Sequence, residues 1–205
     1  MDEAGRRSTR RRGAALEAAL LQAAAEVLRE TGYAGMTMDL VAQRAGTNKN
    51  ALYRRWPSRA ALGVAAYQYL AAPLVPVPDT GALRGDALEL LGRANTTWSS
   101  PEGAILRELL AAAGDDPELL THLRDKAGAS AMNDAWDTVL DRAIARGEAP
   151  PAAAHPRVAS LPMMLLRAEY LLQGTSEVAD EIITEIVDEV LLPLVHGRAT
   201  ATERT

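Results

Sequence analysis

Apolar residues recur three and four apart along almost the whole chain, and no stretch alternates apolar with polar at the period of two that a half-buried strand needs. The pattern predicts an all-α protein. Leu16, Leu20, Ala24, Val27 and Leu28 form one stripe over residues 13–30, and Thr31-Gly32 stops it. Thr37 then offers its hydroxyl to cap a short second helix whose inner face holds Leu40, Val41 and Ala45. Ala45-Gly46-Thr47 breaks that helix, and Asn48 caps a third, carrying Ala51, Leu52 and Tyr53 until Pro57 ends it. Ser58 caps a fourth helix through about residue 72. Residues 73–81 hold three prolines and an Asp-Thr-Gly turn, the composition of a linker. Beyond it the spacing predicts a helix over 82–98 and another from Pro101 with Ser100 as cap. A third starts at Pro117 and, if unbroken to Arg146, spans roughly 45 Å at 1.5 Å per residue. Pro150-Pro151 closes it, and two last helices cover 157–173 and 176–196.

The last helix places Ile182, Ile183, Ile186, Val187, Val190, Leu191, Leu194 and Val195 on one face, with Glu181, Glu185, Asp188 and Glu189 opposite. That face is too broad for one neighbour. With Leu161, Met164, Leu165 and Leu171 of the preceding helix it builds either the core of one chain or a four-helix interface across a two-fold axis.

Composition narrows the classes. The 205 residues include no Cys, which excludes disulfides and Cys-ligated metal. No apolar run approaches the roughly 18 residues of a membrane span. The basic start, Arg6, Arg7, Arg10, Arg11 and Arg12, imitates a secretory signal, but Glu17, Gln22 and Glu26 interrupt what would be its hydrophobic segment. A cytoplasmic protein with no membrane partner is expected. The net charge of -5 hides an asymmetry: residues 1–60 carry 11 basic and 6 acidic side chains, net +5, and the remainder carries 11 and 21, net -10. A basic front and an acidic body fit a protein that meets phosphates with one part only.

The basic front holds a motif: Thr37-Met-Asp-Leu-Val-Ala-Gln-Arg-Ala-Gly46-Thr-Asn48-Lys-Asn-Ala-Leu-Tyr-Arg-Arg-Trp56. Two short capped helices joined at a glycine describe a helix-turn-helix, whose second helix presents its first residues to a major groove. Lys49 suits guanine O6/N7, Asn50 suits adenine N6/N7, and Ala51 suits a thymine methyl. Around them Thr37, Tyr53, Arg54 and Arg59 are candidates for the phosphate backbone, and Arg44 and Asn48 are further candidates for DNA contact. Trp56 is expected in the core, Tyr53 with its ring packed and hydroxyl outward, and the Arg6 to Arg12 arm as a solvated tail.

The run Gly32-Tyr33-Ala-Gly-Met-Thr37-Met-Asp-Leu-Val-Ala-Gln-Arg-Ala-Gly46, followed by Leu52-Tyr53-Arg-Arg-Trp-Pro-Ser-Arg59-Ala-Ala-Leu62, resembles the DNA-binding domain of TetR-family transcriptional regulators. The resemblance covers about residues 13–65. It implies a homodimeric repressor of nine or so helices, with a larger C-terminal domain that binds a small effector, and phosphate roles for Thr37, Tyr53 and Arg59. The family usually carries a hydroxyl residue where this chain has Ala51, so that contact is missing here. The expected organisation is a flexible basic arm over 1–12, a helix-turn-helix domain over 13–58, and an effector-binding and dimerisation domain over 59–200. Expected partners are a palindromic double-stranded DNA operator, a small molecule and a second copy of the chain. Leu161, Leu165, Ile183, Ile186, Val187, Val190 and Leu194 are the dimerisation candidates.

For the effector, Trp98, Met132, Trp136, Met163, Met164 and Tyr170 stand out among many Ala and Leu, as flat and flexible side chains suited to an apolar pocket. Taken singly, core packing is the stronger expectation for each. Arg107, Glu108, His122 and Arg167 are available to orient a polar group, so an apolar or amphiphilic ligand is expected. A regulator controlled by a protein partner, or constitutive, is the alternative. An enzyme is disfavoured: His122, His155 and His196 are isolated, Ser130 lacks the second glycine of a nucleophile elbow, and no phosphate loop or metal cluster is present. No cofactor is expected.

Overall fold

The computed structural model describes residues 3–71, 76–126 and 129–202. Its described residues are helical, with no strand among them. The helices are α1 (Glu3–Gly35), α2 (Met38–Arg44), α3 (Lys49–Tyr53), α4 (Arg59–Leu70), α5 (Leu83–Ser99), α6 (Pro101–Ala112), α7 (Pro117–Lys126), α8 (Ala129–Ala145) and α9 (Pro156–Leu172). A 3-10 turn, Pro151–Ala153, precedes α9. The last helix has three segments: α10 (Asp180–Glu185), a π-helical stretch (Ile186–Leu191) and α11 (Leu192–Thr202).

The helix limits follow from local chemistry. Thr37, Asn48 and Ser58 each turn a side-chain oxygen onto the backbone N–H three residues on, at 3.1 Å, and so start α2, α3 and α4. Gly32 takes φ 65°, ψ 179° and breaks α1 where the stop is expected. At the other end α1 begins at Glu3, so residues 3–12, expected as an arm, continue the helix; that run holds no proline, and arginine is a good helix former. Within residues 117–146, α7 and α8 are helical, and the continuity expected between them falls on 127 and 128, outside the described residues. The last helix starts at Asp180, four residues later than the expected 176, because the capping position is Ala179.

The chain forms two compact units, Met1–Ala72 with Glu108–Ala127, and Pro73–Arg107 with Gly128–Thr205. The first cut falls at the start of the expected linker. The second falls inside α6, so α4, α7 and the end of α6 pack with the helix-turn-helix. In the first unit α1 lies against α2 and α4, and α4 against α7. Leu20, Val27, Leu28, Tyr33, Met36, Val41, Leu52, Leu62 and Leu109 fill its core, and Trp56 is buried with them as expected. Burying such side chains contributes about 1.5 to 3 kcal/mol each. In the second unit α5 packs on α8, α9 and α10 around Leu91, Trp136, Leu140, Leu166 and Val187. No helix among the described residues is long and apolar enough to cross a membrane.

Candidate nucleic-acid interface

The turn between α2 and α3 is a glycine-terminated helix end. Gly46 adopts φ 62°, Thr47 N–H donates to the Ala42 carbonyl at 2.9 Å, and Gly46 N–H donates to the Gln43 carbonyl at 3.1 Å. These two bonds are the 6→1 and 5→2 pair of a Schellman motif, which ends α2 in one residue and redirects the chain. Asn48 then restarts it. Its Oδ1 accepts from Ala51 N–H, so Asn48 spends its side-chain oxygen on α3 and keeps its amide N–H donors for other partners.

The structure leaves Thr37, Asn48, Lys49, Asn50, Tyr53, Arg54 and Arg59 exposed. Tyr53 is 48 % exposed and so more open than a packed ring. Lys49 pairs with Asp39 at 2.6 Å, both groups open to water. An exposed pair of this kind holds little free energy and yields readily to a stronger anion. Arg59 lays its guanidinium over the Tyr33 ring, 4.4 Å from the centroid, which fixes the stem of the side chain and leaves the N–H edge outward. Beneath it the Tyr33 hydroxyl donates to Asp116 at 3.4 Å, and Asp116 caps α7 through Leu119 N–H.

One expected contact is corrected, and one candidate has partners within its own chain. Ala51 is only 4 % exposed: with Leu52 it faces the three-helix core, so its methyl does not reach a groove. Arg44 turns back onto α1, where it makes two parallel bonds to Glu30, 2.9 and 2.5 Å, and a longer one to Glu26. The hydrogen bonds from Arg44 hold the Glu30 carboxyl below its ordinary value. Arg44 therefore braces α2 against α1. Glu30 and Glu26 were missed; their signal was the four-residue spacing that puts both on one side of a helix.

The second unit carries the remaining candidates. Trp98, Trp136, Met163 and Tyr170 are buried and Met132 is half-buried. Met164 departs from them at 52 % exposed, because it lies on the outer side of α9, away from Met163 and Leu166. The dimerisation candidates divide as well. Ile183, Ile186 and Val187 are buried within the chain and are unavailable to another; Leu161 and Leu165 are half-buried, and Val190 and Leu194 are exposed. The outward apolar row on α9 reads Leu161, Met164, Leu165, Leu171 and Leu172, at steps of three, one, six and one, with Leu161 and Leu165 half-buried and the others exposed. Leu172, missed from sequence, is 85 % exposed.

Residues 20–66 match the family model described as bacterial regulatory proteins, tetR family, and residues 77–190 match the tetracyclin repressor-like C-terminal domain. The chain is 31% identical over 189 residues to a DNA-binding transcriptional repressor TetR of Mycobacteroides abscessus, covering 92% of this chain and 98% of that protein. It is 32% identical over 109 residues to the HTH-type transcriptional regulator AqdR of Rhodococcus erythropolis, covering 53% of this chain and 52% of that one. Among solved structures, the TetR family transcription regulator SCO0332 superposes with a TM-score of 0.66 at 30% identity, over 86% of this chain and 96% of that chain. A TetR regulator from Agrobacterium tumefaciens, TM-score 0.63 at 18% identity over 87% and 93% of the two chains, shares the fold.

Proposed function

The chain belongs to the TetR family of DNA-binding transcriptional regulators and is no enzyme, and from that premise we propose that it is a homodimeric cytoplasmic repressor, released from a palindromic operator by a small apolar or amphiphilic ligand. The observation that carries the proposal is the exposed row Asn48, Lys49 and Asn50 at the start of a helix held out by a Schellman turn. Lys49 and Asn50 read base edges. Thr37, Asn48, Tyr53, Arg54 and Arg59 bind the sugar-phosphate backbone and set the register. A reading helix of five residues, Lys49–Tyr53, covers only a few base pairs, so specificity requires a second copy. The uncovered stripe of α9, with Val190 and Leu194 of the last helix, supplies the pairing surface. Two heads about 34 Å apart then meet successive major grooves.

Division by task keeps residues 13–58 as the reader and 59–200 as the sensing and pairing part. Trp98, Met132, Trp136, Met163 and Tyr170 form the ligand region. A ligand that favours a head spacing unsuited to the operator lowers DNA affinity by population shift.

Selection of bound duplexes from a random pool tests the reading. Inverted repeats with half-sites about one helical turn apart are expected. Enrichment of a single unpaired half-site, or none, overturns it. With the selected operator, Asn50→Ala relaxes preference at one position, whereas Arg59→Ala weakens all sequences alike and reduces the salt slope by about one.

A further inference from the structure

The second unit contains donors that its own chain leaves unused. Trp136 is 0 % exposed, and its indole N–H has no hydrogen-bond partner. Buried donors are nearly always paired, so an orphan calls for an acceptor from outside the chain. Arg107 is half-buried; its guanidinium lies 5.1 Å from the centre of the Tyr170 ring, and one Nη donates to the Trp98 carbonyl. It makes no ion pair among the described residues. Four of its five N–H donors remain for a planar anion, the geometry a guanidinium fork matches best.

The helices bring these groups to one level. The start of α5 is tied to the end of α8, since Arg146 pairs with Asp86 at 3.1 Å and Glu148 accepts from Leu83 N–H. Ten residues along α5 from that joint stands Thr96, and ten residues back along α8 stands Trp136, each about 15 Å away at 1.5 Å per residue. Asn95 is at that level too, and it receives the Tyr170 hydroxyl at 2.6 Å. Trp98 and Tyr170 have ring centroids 5.5 Å apart, tilted by 41°. Asn95 and Tyr170 satisfy one another, with Asn95 donating onward to the Val178 carbonyl at 2.9 Å, so they hold the rings in place.

We infer that this layer of α5, α6, α8 and α9 binds an aromatic carboxylate: the carboxylate on Arg107, the flat body against Trp98 and Tyr170, and an oxygen of the ligand accepting from Trp136. The inference deepens the ligand-released reading above and rests on it. Arg167 also lies against this aromatic pair, its guanidinium 5.7 Å from the centre of the Trp98 ring, so a second cation backs the carboxylate end. Met132 and Met163, on α8 and α9, give the walls the adaptability that a closed core of branched side chains lacks.

The test uses the full chain and three probes, benzoate, 2-naphthoate and indole-3-acetate, each against its uncharged amide, by titration calorimetry and tryptophan fluorescence. At least one acid is expected to bind tenfold or more tightly than its amide. Arg107→Gln abolishes that preference while leaving amide affinity within about threefold, Arg107→Lys retains part of it, and Trp136→Phe weakens acid and amide together. Equal binding of acid and amide, failure of all three acids, or an unchanged acid preference in Arg107→Gln overturns the inference. If Arg107→Gln does not fold, the comparison on the unaltered chain and on Arg107→Lys decides. An acid that binds without releasing the operator overturns the ligand-released reading alone. A different compound that releases the operator while the acids fail overturns this inference alone.

Discussion

The reading head and the helical body are both helix bundles, yet they are tied together at different ranges. In the head the polar bonds that set the helix limits are short in sequence, and the longest-range bond there, Tyr33 to Asp116, joins its edge to α7. Thr37, Asn48 and Ser58 each cap three residues on, and Arg44 reaches Glu30 across 14. In the body Arg146 reaches Asp86 across 60, Tyr170 reaches Asn95 across 75, and Arg84 reaches Asp188 across 104. Asp86 is fully buried and Asn95 nearly so, whereas the ion pairs Arg44–Glu30 and Lys49–Asp39 of the head lie open to water. Local caps set where the short helices begin, and packing of α2 on α1 holds them there. Remote buried bonds make a body whose parts depend on one another.

The contrast is sharpened first at Asp86. Its carboxyl is 0 % exposed; Thr80 donates through both N–H and hydroxyl, and Arg146 through Nη2. Asp86→Ala is expected to cost about 2 kcal/mol, since it leaves Thr80 N–H without its acceptor and takes from Arg146 one of its three carboxylate partners, read as a shift in the urea midpoint. A loss under about 1 kcal/mol would place the body among locally built structures. Acid supplies a second measurement. Burial works to raise the Asp86 carboxyl, but the bonds from Thr80 and Arg146 outweigh it and the value lies below the ordinary one. Glu148 is lowered as well, by Leu83 N–H and then Arg146. A depressed carboxyl stabilises fully above its unfolded value, near 4, and ceases to do so as pH falls through the folded one. The body is therefore expected to loosen below about pH 4, with Trp98 and Trp136 fluorescence changing in a Trp56→Phe background. An acid midpoint that Asp86→Asn leaves unmoved would refute this cause.

A smaller effect belongs to the head. At Gly46 an added Cβ meets nothing within 4 Å, so Gly46→Ala is governed by φ 62° alone and should cost about 1 kcal/mol in thermal or urea unfolding. A cost above about 3 kcal/mol would mean that the turn is gripped by more than backbone preference. The smallest effect is expected at Glu30→Gln. The pair with Arg44 is well formed but solvated, so melting should be unchanged within error, and a clear drop would show that α2 depends on that brace.

The same division explains what could be read in advance. Caps, the Gly32 break and the Gly46 turn all depend on neighbours within a few positions, and the sequence carries them openly. Ala51 escaped because α3 has only five residues, too few for a period to show which side faces in. Arg44 escaped because its partners lie on another helix. In the body, the helices were legible but not the joint of Asp79, Asp86, Arg142, Arg146 and Glu148, whose members become neighbours only after folding. Met164 was assigned to the ligand region by type, although its side of α9 is shared with Leu161, Leu165 and Leu171 and points outward.

The π stretch of the last helix sets a phase. Ile183, Val187, Leu191 and Val195 are all buried although each lies four residues beyond the one before. In a regular α-helix every such step slips by about 40°, and three would swing Val195 well away from Ile183. The wider π turn takes up the slip and keeps one inward row, which leaves Val190 and Leu194 on the outer side. Loss of one residue within 186–191 would rotate all that follows by roughly 100°. A sister protein shorter by that residue would turn Val190 and Leu194 to a different bearing and so carry its outward apolar pair on another side of the helix.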